Sequence, residues 1–189
     1  MIVVVTLGIC LAGELIPPDV ASALTAAQAP VFAQTSAITL AAEAGFNGYI
    51  KQDSWIPVRV SLSATDISDG DVALSTMPDR SRLYSAPVTM ARGARKQLTL
   101  YAPATPNPIQ VLFLMNSQVV AVATPPIHVL DEADRLVVVV SQPADGLNFL
   151  NDLHTPFGGK TYVAQLTPAQ IPEHTAALDS ADVLILNNV

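Results

Sequence analysis

Three histidines, one serine, one glycine-rich loop and a cluster of basic residues are the groups in this 189-residue chain with obvious chemical potential. His128, His154 and His174 are imidazole ligands in principle, but they share no short spacing of the His-x3-His kind that metal sites use. Histidines at the ends of elements are the simpler reading. Ser141, Asp152 and His154 supply the residue types of a hydrolase triad. Ser141 lacks the Gly-x-Ser-x-Gly turn that would expose its hydroxyl, so we read it as a loop residue. Gly158-Gly159-Lys160-Thr161 resembles the end of a phosphate-binding loop, whose backbone amides cradle phosphate. That loop needs glycine at position 154, where His154 stands, and it needs a preceding strand rather than a helix. The expectation is therefore no catalytic residue, no cofactor-binding residue, no metal ligand and no cofactor: a chain that is not itself an enzyme.

Charge narrows the partners. Nine basic against sixteen acidic residues give a formal charge of −7, and an acidic chain without a basic stripe is unsuited to nucleic acid, where phosphate neutralisation supplies most affinity. Arg80, Arg82, Arg92, Arg95 and Lys96 form a modest local cluster, read as solvated strand ends and turns. Cys10 is the single cysteine. It lies in the N-terminal leader, so the domains that follow have no disulfide, thiolate nucleophile or thiolate metal site.

The elements that would carry any site fall into three stretches. Residues 1–33 read as a signal peptide or membrane anchor. Met1 to Ala12 is an uncharged apolar run, too short to span a bilayer and of the right length for the core of a signal peptide. Ala27-Gln28-Ala29 has a small-x-small pattern, but Pro30 beside it would hinder cleavage, so Val31-Phe32-Ala33 before Gln34 is the better candidate. No Lys or Arg precedes the apolar run, which leaves open an upstream start and an uncleaved anchor. Leu7-Gly8-Ile9-Cys10 departs from a lipoprotein box at Ile9, where a small residue is required. The alternative is an ordinary buried N-terminal element.

Residues 34–130 read as a seven-stranded β-sandwich of immunoglobulin-like architecture. From Ala37 to Val129 the hydrophobic pattern has period two, which sends alternate side chains to opposite faces. Ile56, Val58, Val60 and Leu62 alternate with Pro57, Arg59, Ser61 and Ser63. Ile38, Leu40, Ala42 and Ala44 form a similar set, as do Val72, Leu74 and Thr76. Tyr84 to Met90, Lys96 to Tyr101, Ile109 to Phe113 and Val119 to Ala123 supply the remaining strands. Turn residues punctuate them at Gly45 to Gly48, Asp66 to Gly70, Pro78-Asp79, Arg92-Gly93 and Pro103 to Pro108, with Asn116-Ser117 as a tight hairpin. There is no cysteine pair, so the likeness to antibody domains is architectural. Trp55 is placed to plug one end of the core, or alternatively to stack on a sugar or peptide.

Residues 131–189 change character. After the charged junction Leu130 to Asp134, Leu136 to Val140 is apolar on both faces, as expected inside a parallel sheet. Leu147, Leu150 and Leu153 recur at helical spacing, and Thr161 to Leu166 follows as a strand. Thr167-Pro168 marks a helix start, Pro172 to Leu178 continues the helical region, and Val183 to Leu186 is a third strand. A β-α-β-α-β order implies the incomplete start of an open α/β domain, with any site of that domain mainly in a missing remainder.

Phe46-Asn47-Gly48-Tyr49 followed by Trp55-Ile56-Pro57-Val58-Arg59-Val60, together with Asp182-Val183-Leu184-Ile185-Leu186-Asn187, resembles a group of large bacterial membrane-anchored proteins. In that group an immunoglobulin-like sandwich precedes a class I glutamine-amidotransferase-like α/β domain. The resemblance runs from about Ala37 to Val189. It implies an uncharacterised family whose amidotransferase-like domain serves as a scaffold, and it places no catalytic residue within these positions. The resulting expectation is a noncatalytic, exported binding or assembly module of a larger membrane-tethered protein, at the cell envelope or outer face of the membrane. The membrane is reached through the leader or a missing C-terminal segment, and a protein or glycan partner is possible. One alternative is the fragment of an amidotransferase-like or hydrolase enzyme with its active site beyond residue 189. Another is a sugar- or peptide-binding adhesion module.

Overall fold

The computed structural model describes residues 37–141, 147–155 and 158–187. The expected leader with Cys10 and the expected cleavage positions lie outside the described residues, as do residues 144–146 at the start of the first expected helix. The described residues all fall in one compact unit, which is mainly β.

Two antiparallel sheets make up the first part. Strands β1 (Ile38–Ala44), β3 (Trp55–Ala64) and β6 (Arg95–Pro103) form one sheet in the order β1-β3-β6. Strands β4 (Ser68–Ser75), β5 (Leu83–Met90), β7 (Gln110–Met115) and β8 (Gln118–Ala123) form the other in the order β5-β4-β7-β8. The period-two pattern decides the facing. Ile56, Val58, Val60 and Leu62 are buried and pack with Val72, Leu74, Val88, Met90, Val111 and Phe113 in one hydrophobic cluster drawn from both sheets. Each such side chain contributes about 1.5–3 kcal/mol by leaving water. Ser61 between them is exposed. Trp55 is not part of this core. It is 42% exposed and stands edge-on to Tyr84 at 6.1 Å, because it pairs with Pro103 at the very end of the β3–β6 ladder.

Proline at position 57 lies in the central strand of its sheet, where a missing N–H usually breaks a ladder. Here the Pro57 carbonyl accepts from the Gly45 amide at 2.8 Å. In an antiparallel pair the N–H and C=O of one residue point the same way, so the absent donor falls opposite Gly45, one residue past the end of β1. The expected hairpin at Asn116-Ser117 joins β7 to β8, with φ of 50° and 63° at its two central residues and Met115 opposite Gln118.

Two short strands have no counterpart in the sequence reading. β2 (Tyr49–Lys51) and β9 (His128–Leu130) pair in parallel, Tyr49 opposite His128. Beyond them β10 (Arg135–Ser141), β11 (Thr161–Leu166) and β12 (Val183–Asn187) form a parallel sheet in the order β11-β10-β12. As its composition requires, the central strand β10 is buried on both faces from Leu136 to Val140. The expected helices are a correction. Among the described residues there is no α-helix, only 3-10 turns at Asn148–Asp152, Pro168–Gln170 and Thr175–Leu178. The i, i+3 spacing of Leu147, Leu150 and Leu153 suits a 3-10 helix as well as an α-helix. Pro172 removes a donor and pushes the residue before it out of helical geometry. No helix among the described residues is long and apolar enough to cross a membrane.

Candidate functional site

The parallel sheet is docked on the first part through one tight turn. Asn47 and Gly48 both have positive φ, 53° and 87°, and Phe46 and Tyr49 exchange backbone hydrogen bonds of 3.1 and 3.0 Å. This is the mirror-image hairpin turn that Asn-Gly favours. Gly45 just before it has φ +63°, and a Cβ there would fall 2.3 Å from the Tyr49 carbonyl oxygen. The turn drives Phe46, fully buried, into a second cluster with Leu130, Leu136, Val138, Val140, Ala164 and Leu166. It also presents the Asn47 amide to the edge of β11; in the amide orientation that matches donors to acceptors, Nδ2 donates to the Gln165 carbonyl at 3.2 Å and Oδ1 accepts the Gln165 N–H at 3.3 Å. A side-chain amide thus stands in for a neighbouring strand, and Asn151 Oδ1 does likewise for the Val163 N–H at 2.9 Å.

Two carboxylates complete the junction. Buried Asp134 accepts the Lys160 N–H at 2.8 Å and the Asp131 N–H at 3.1 Å. Asp182 accepts the Leu136 N–H at 2.8 Å, is ion-paired with Lys51 of β2, and lies 3.6 Å from the Arg135 guanidinium. It joins β2, β10 and the start of β12.

This docking creates a cleft of about 570 Å³ lined by Ala42, Glu43, Asn47, Gly48, Tyr49, Pro126, Ile127, His128 and Tyr162. Its wall is a triangle of rings from three strands. Tyr49 and His128 meet edge-to-face at 5.8 Å, Tyr49 and Tyr162 at 5.1 Å with a 49° tilt, and His128 and Tyr162 at 5.4 Å with a 45° tilt. Glu43 is the carboxylate of the cleft. One of its oxygens lies 2.7 Å from Arg59 Nη2, and its side chain remains 44% exposed. Arg59 also donates from Nη1 to the Gln170 carbonyl at 3.3 Å. A second, more polar cavity of about 740 Å³ begins on the far side of the Glu43–Arg59 pair. There His174 stands edge-on to Tyr101 at 4.7 Å.

The residues with chemical potential are dispersed. His128 enters the aromatic wall, His154 sits opposite Lys160 in an isolated bridge, and His174 lies on Tyr101. Among the described residues no group of three His, Cys, Asp or Glu is placed to hold a metal ion. Among the described residues Ser141 Oγ is buried without a hydrogen-bond partner, so neither Asp152 nor His154 engages it. The glycine-rich loop packs on the junction: a Cβ at Gly159 would fall 2.0 Å from the Ala133 carbonyl oxygen. In the basic cluster, Arg80 donates to Gln110 at 3.0 Å and Arg92 pairs with Asp66 at 2.9 Å. Sequence reasoning misses Tyr49 and Tyr162 as site residues. The Asn-Gly turn is the signal available for Tyr49; Tyr162 has none in sequence.

Residues 37–128 match a family model described as Domain of unknown function (DUF8726). The match takes in both antiparallel sheets and reaches the first residue of β9, so Tyr49 and His128 lie within it and Tyr162 beyond it. No curated protein matches the chain. Among solved structures, the chain is similar to a mutant β-glucosidase from Listeria innocua in complex with laminaribiose, at 11% identity and a TM-score of 0.31. The similarity covers 48% of this chain and 16% of that one.

Proposed function

We propose that this chain is a noncatalytic, extracytoplasmic binding or assembly module of a larger membrane-tethered bacterial protein. In this reading an immunoglobulin-like sandwich leads into the opening strands of an amidotransferase-like α/β domain. The observation that carries it is the built junction. Phe46, Asn47, Lys51 and Asp182 lock the parallel sheet to the first part at fixed orientation, and the interface holds a shaped cleft walled by rings. Rigid elements that fix a concave surface are what a recognition module requires. The two sheets enclosing one core support the sandwich, and the apolar central strand β10 between two parallel neighbours supports the α/β reading.

The test of compartment and tether is alkaline phosphatase fused after Gln34 and after the full chain in a bacterial host, with fractionation of the parent protein. Phosphatase activity in both fusions, and the parent in the envelope fraction, is the expected result. Inactive fusions with a soluble parent would overturn the reading. A second reading, an adhesion module for sugar or peptide, draws on the half-exposed Trp55 against Tyr84. It expects glycan-array or peptide-array binding that is lost in Trp55→Ala, and silence on both arrays removes it.

A further inference from the structure

We propose that the cleft walled by Tyr49, His128 and Tyr162 binds a methylated ammonium group, the two tyrosine faces supplying cation–π attraction, His128 the third side of the wall, and the half-exposed Glu43 a carboxylate that it shares with Arg59. The inference deepens the binding-module reading and rests on it. Three aromatic rings from separate strands, 5.1–5.8 Å apart and inclined at 45–87° to one another, turn both faces and edges along one wall. Tyrosine faces carry negative potential and attract a cation within about 6 Å of the centroid, so Tyr49 and Tyr162 supply the attraction and His128 the packing. Because the rings touch, the cation sits against this wall rather than between its members, within reach of the cleft that Glu43 also lines.

The electrostatics select the sign of the ligand. Among the described residues lining the cleft there is no lysine or arginine, and the guanidinium nearby, Arg59, is committed to Glu43 and the Gln170 carbonyl. The chain as a whole carries −7. An anion finds no donor cluster here and meets an unfavourable field. Methylation decides between cations. A bare ammonium is strongly hydrated, and a lining of mainly Tyr, Ile, Pro and Ala with one carboxylate already paired to Arg59 replaces only part of that hydration. A quaternary ammonium carries its charge on an apolar surface that loses little on entering. A volume of about 570 Å³ leaves room for substituents beyond the ammonium, so a free small molecule and a lipid headgroup share the required chemistry.

The experiment is an NMR titration of the aromatic side-chain resonances of the full chain at constant ionic strength. Choline chloride is one probe, and its neutral isostere 3,3-dimethylbutan-1-ol is the other. The expected result is saturable shifts at Tyr49, His128 and Tyr162, with Kd of about 1–10 mM for choline, the scale of a few cation–π contacts in an open site. The alcohol should bind at least tenfold more weakly. Tyr162→Phe should stay within about twofold, while Tyr162→Leu and Glu43→Gln should each weaken choline binding about threefold. Glu43→Gln leaves Arg59 without its ion pair, so the urea midpoint of the variant is measured beside its choline affinity and the loss is scored on folded protein. Equal binding of the two probes, or no saturable shift with choline, overturns the proposal. Co-sedimentation with phosphatidylcholine vesicles that is competed by choline identifies a headgroup. Choline binding without vesicle binding identifies a soluble ligand. If choline fails while array binding of sugar or peptide survives, the module reading stands and the ligand class is wrong. Choline binding by a chain that is not exported upholds the ammonium site and removes the extracytoplasmic reading instead.

Discussion

Replacing Asn47 separates the two things that residue does. It adopts φ 53° in the turn, and its amide makes two hydrogen bonds to the edge of β11. Asn47→Gly keeps the turn, since glycine adopts positive φ freely, but removes both bonds. Each is long and neutral and lies near solvent, so together they contribute about 1–2 kcal/mol. Relief of the left-handed strain returns a few tenths of that, leaving a net loss of about 1 kcal/mol. Asn47→Ala loses the same bonds and adds about 1 kcal/mol of backbone strain, for about 2–3 kcal/mol in total. Asn47→Asp keeps the turn and the bond from the Gln165 N–H, but it turns a carboxylate toward a carbonyl, so it should fall between wild type and alanine. Urea unfolding of the full chain reads these as midpoint shifts at constant slope. Hydrogen exchange at the Gln165 amide provides a local check, with about tenfold faster opening for each 1.4 kcal/mol lost. If Asn47→Gly matches wild type within about 0.3 kcal/mol while Gln165 exchange is unchanged, the amide does not hold the parallel sheet. The reasoning about a side chain acting as a strand partner then fails.

Other outcomes follow from single positions. Ser117→Gly should raise stability by about 0.5–1 kcal/mol in the same assay, because Ser117 holds φ 63° in the β7–β8 hairpin and glycine is preferred there. Gly159→Ala should cost about 2–4 kcal/mol or abolish folding, since backbone at Ala133 rather than a movable side chain blocks the new methyl. Asp66 accepts the Ile67 N–H and then the Arg92 guanidinium, which hold its carboxyl below the ordinary 3.8. A lowered folded value means that its contribution is present above the unfolded value and is lost as pH falls through the folded one. An NMR titration should find the Asp66 midpoint under 3.8, moved upward but not fully restored in Arg92→Ala, because the Ile67 N–H remains.

The strands from Ile38 to Ala123 are legible because one physical rule, alternation between water and core, is written into adjacent residues. Ile56, Val58, Val60 and Leu62 need no partner to be read. The hairpin at Asn116-Ser117 is legible for a similar reason: two residues tolerant of positive φ stand between apolar runs. The region after β10 misleads toward α-helix because leucines three apart fit two helical pitches, and after β11 Pro172 stops the turn that Thr167-Pro168 starts. β2 and β9 are invisible. Each has three residues, too few for periodicity, and a parallel pairing between positions 49 and 128 has no local signature. The aromatic wall inherits that invisibility, since Tyr49, His128 and Tyr162 become neighbours only after β2 pairs with β9 and β11 joins β10.

The charged junction Leu130 to Asp134 looks like a linker in sequence, yet its acids are internal fasteners. Asp134 is buried because two backbone amides, Asp131 and Lys160, take both of its oxygens, which meets the rule that a buried carboxylate must be hydrogen-bonded. Gly159 lets that same loop approach Ala133 closely enough for the Lys160 bond to form. The glycine pair that resembles a phosphate cradle therefore serves a carboxylate of the chain itself. Asp182 repeats the device one strand over, holding the Leu136 N–H while drawing in Lys51 and Arg135. Charge, glycine and amide at this seam serve to fix one sheet against another, and the cleft is a consequence of that fixation. Its geometry should accordingly be sensitive to Asp182 and Asn47, which line up the sheets, as well as to the rings that form its wall.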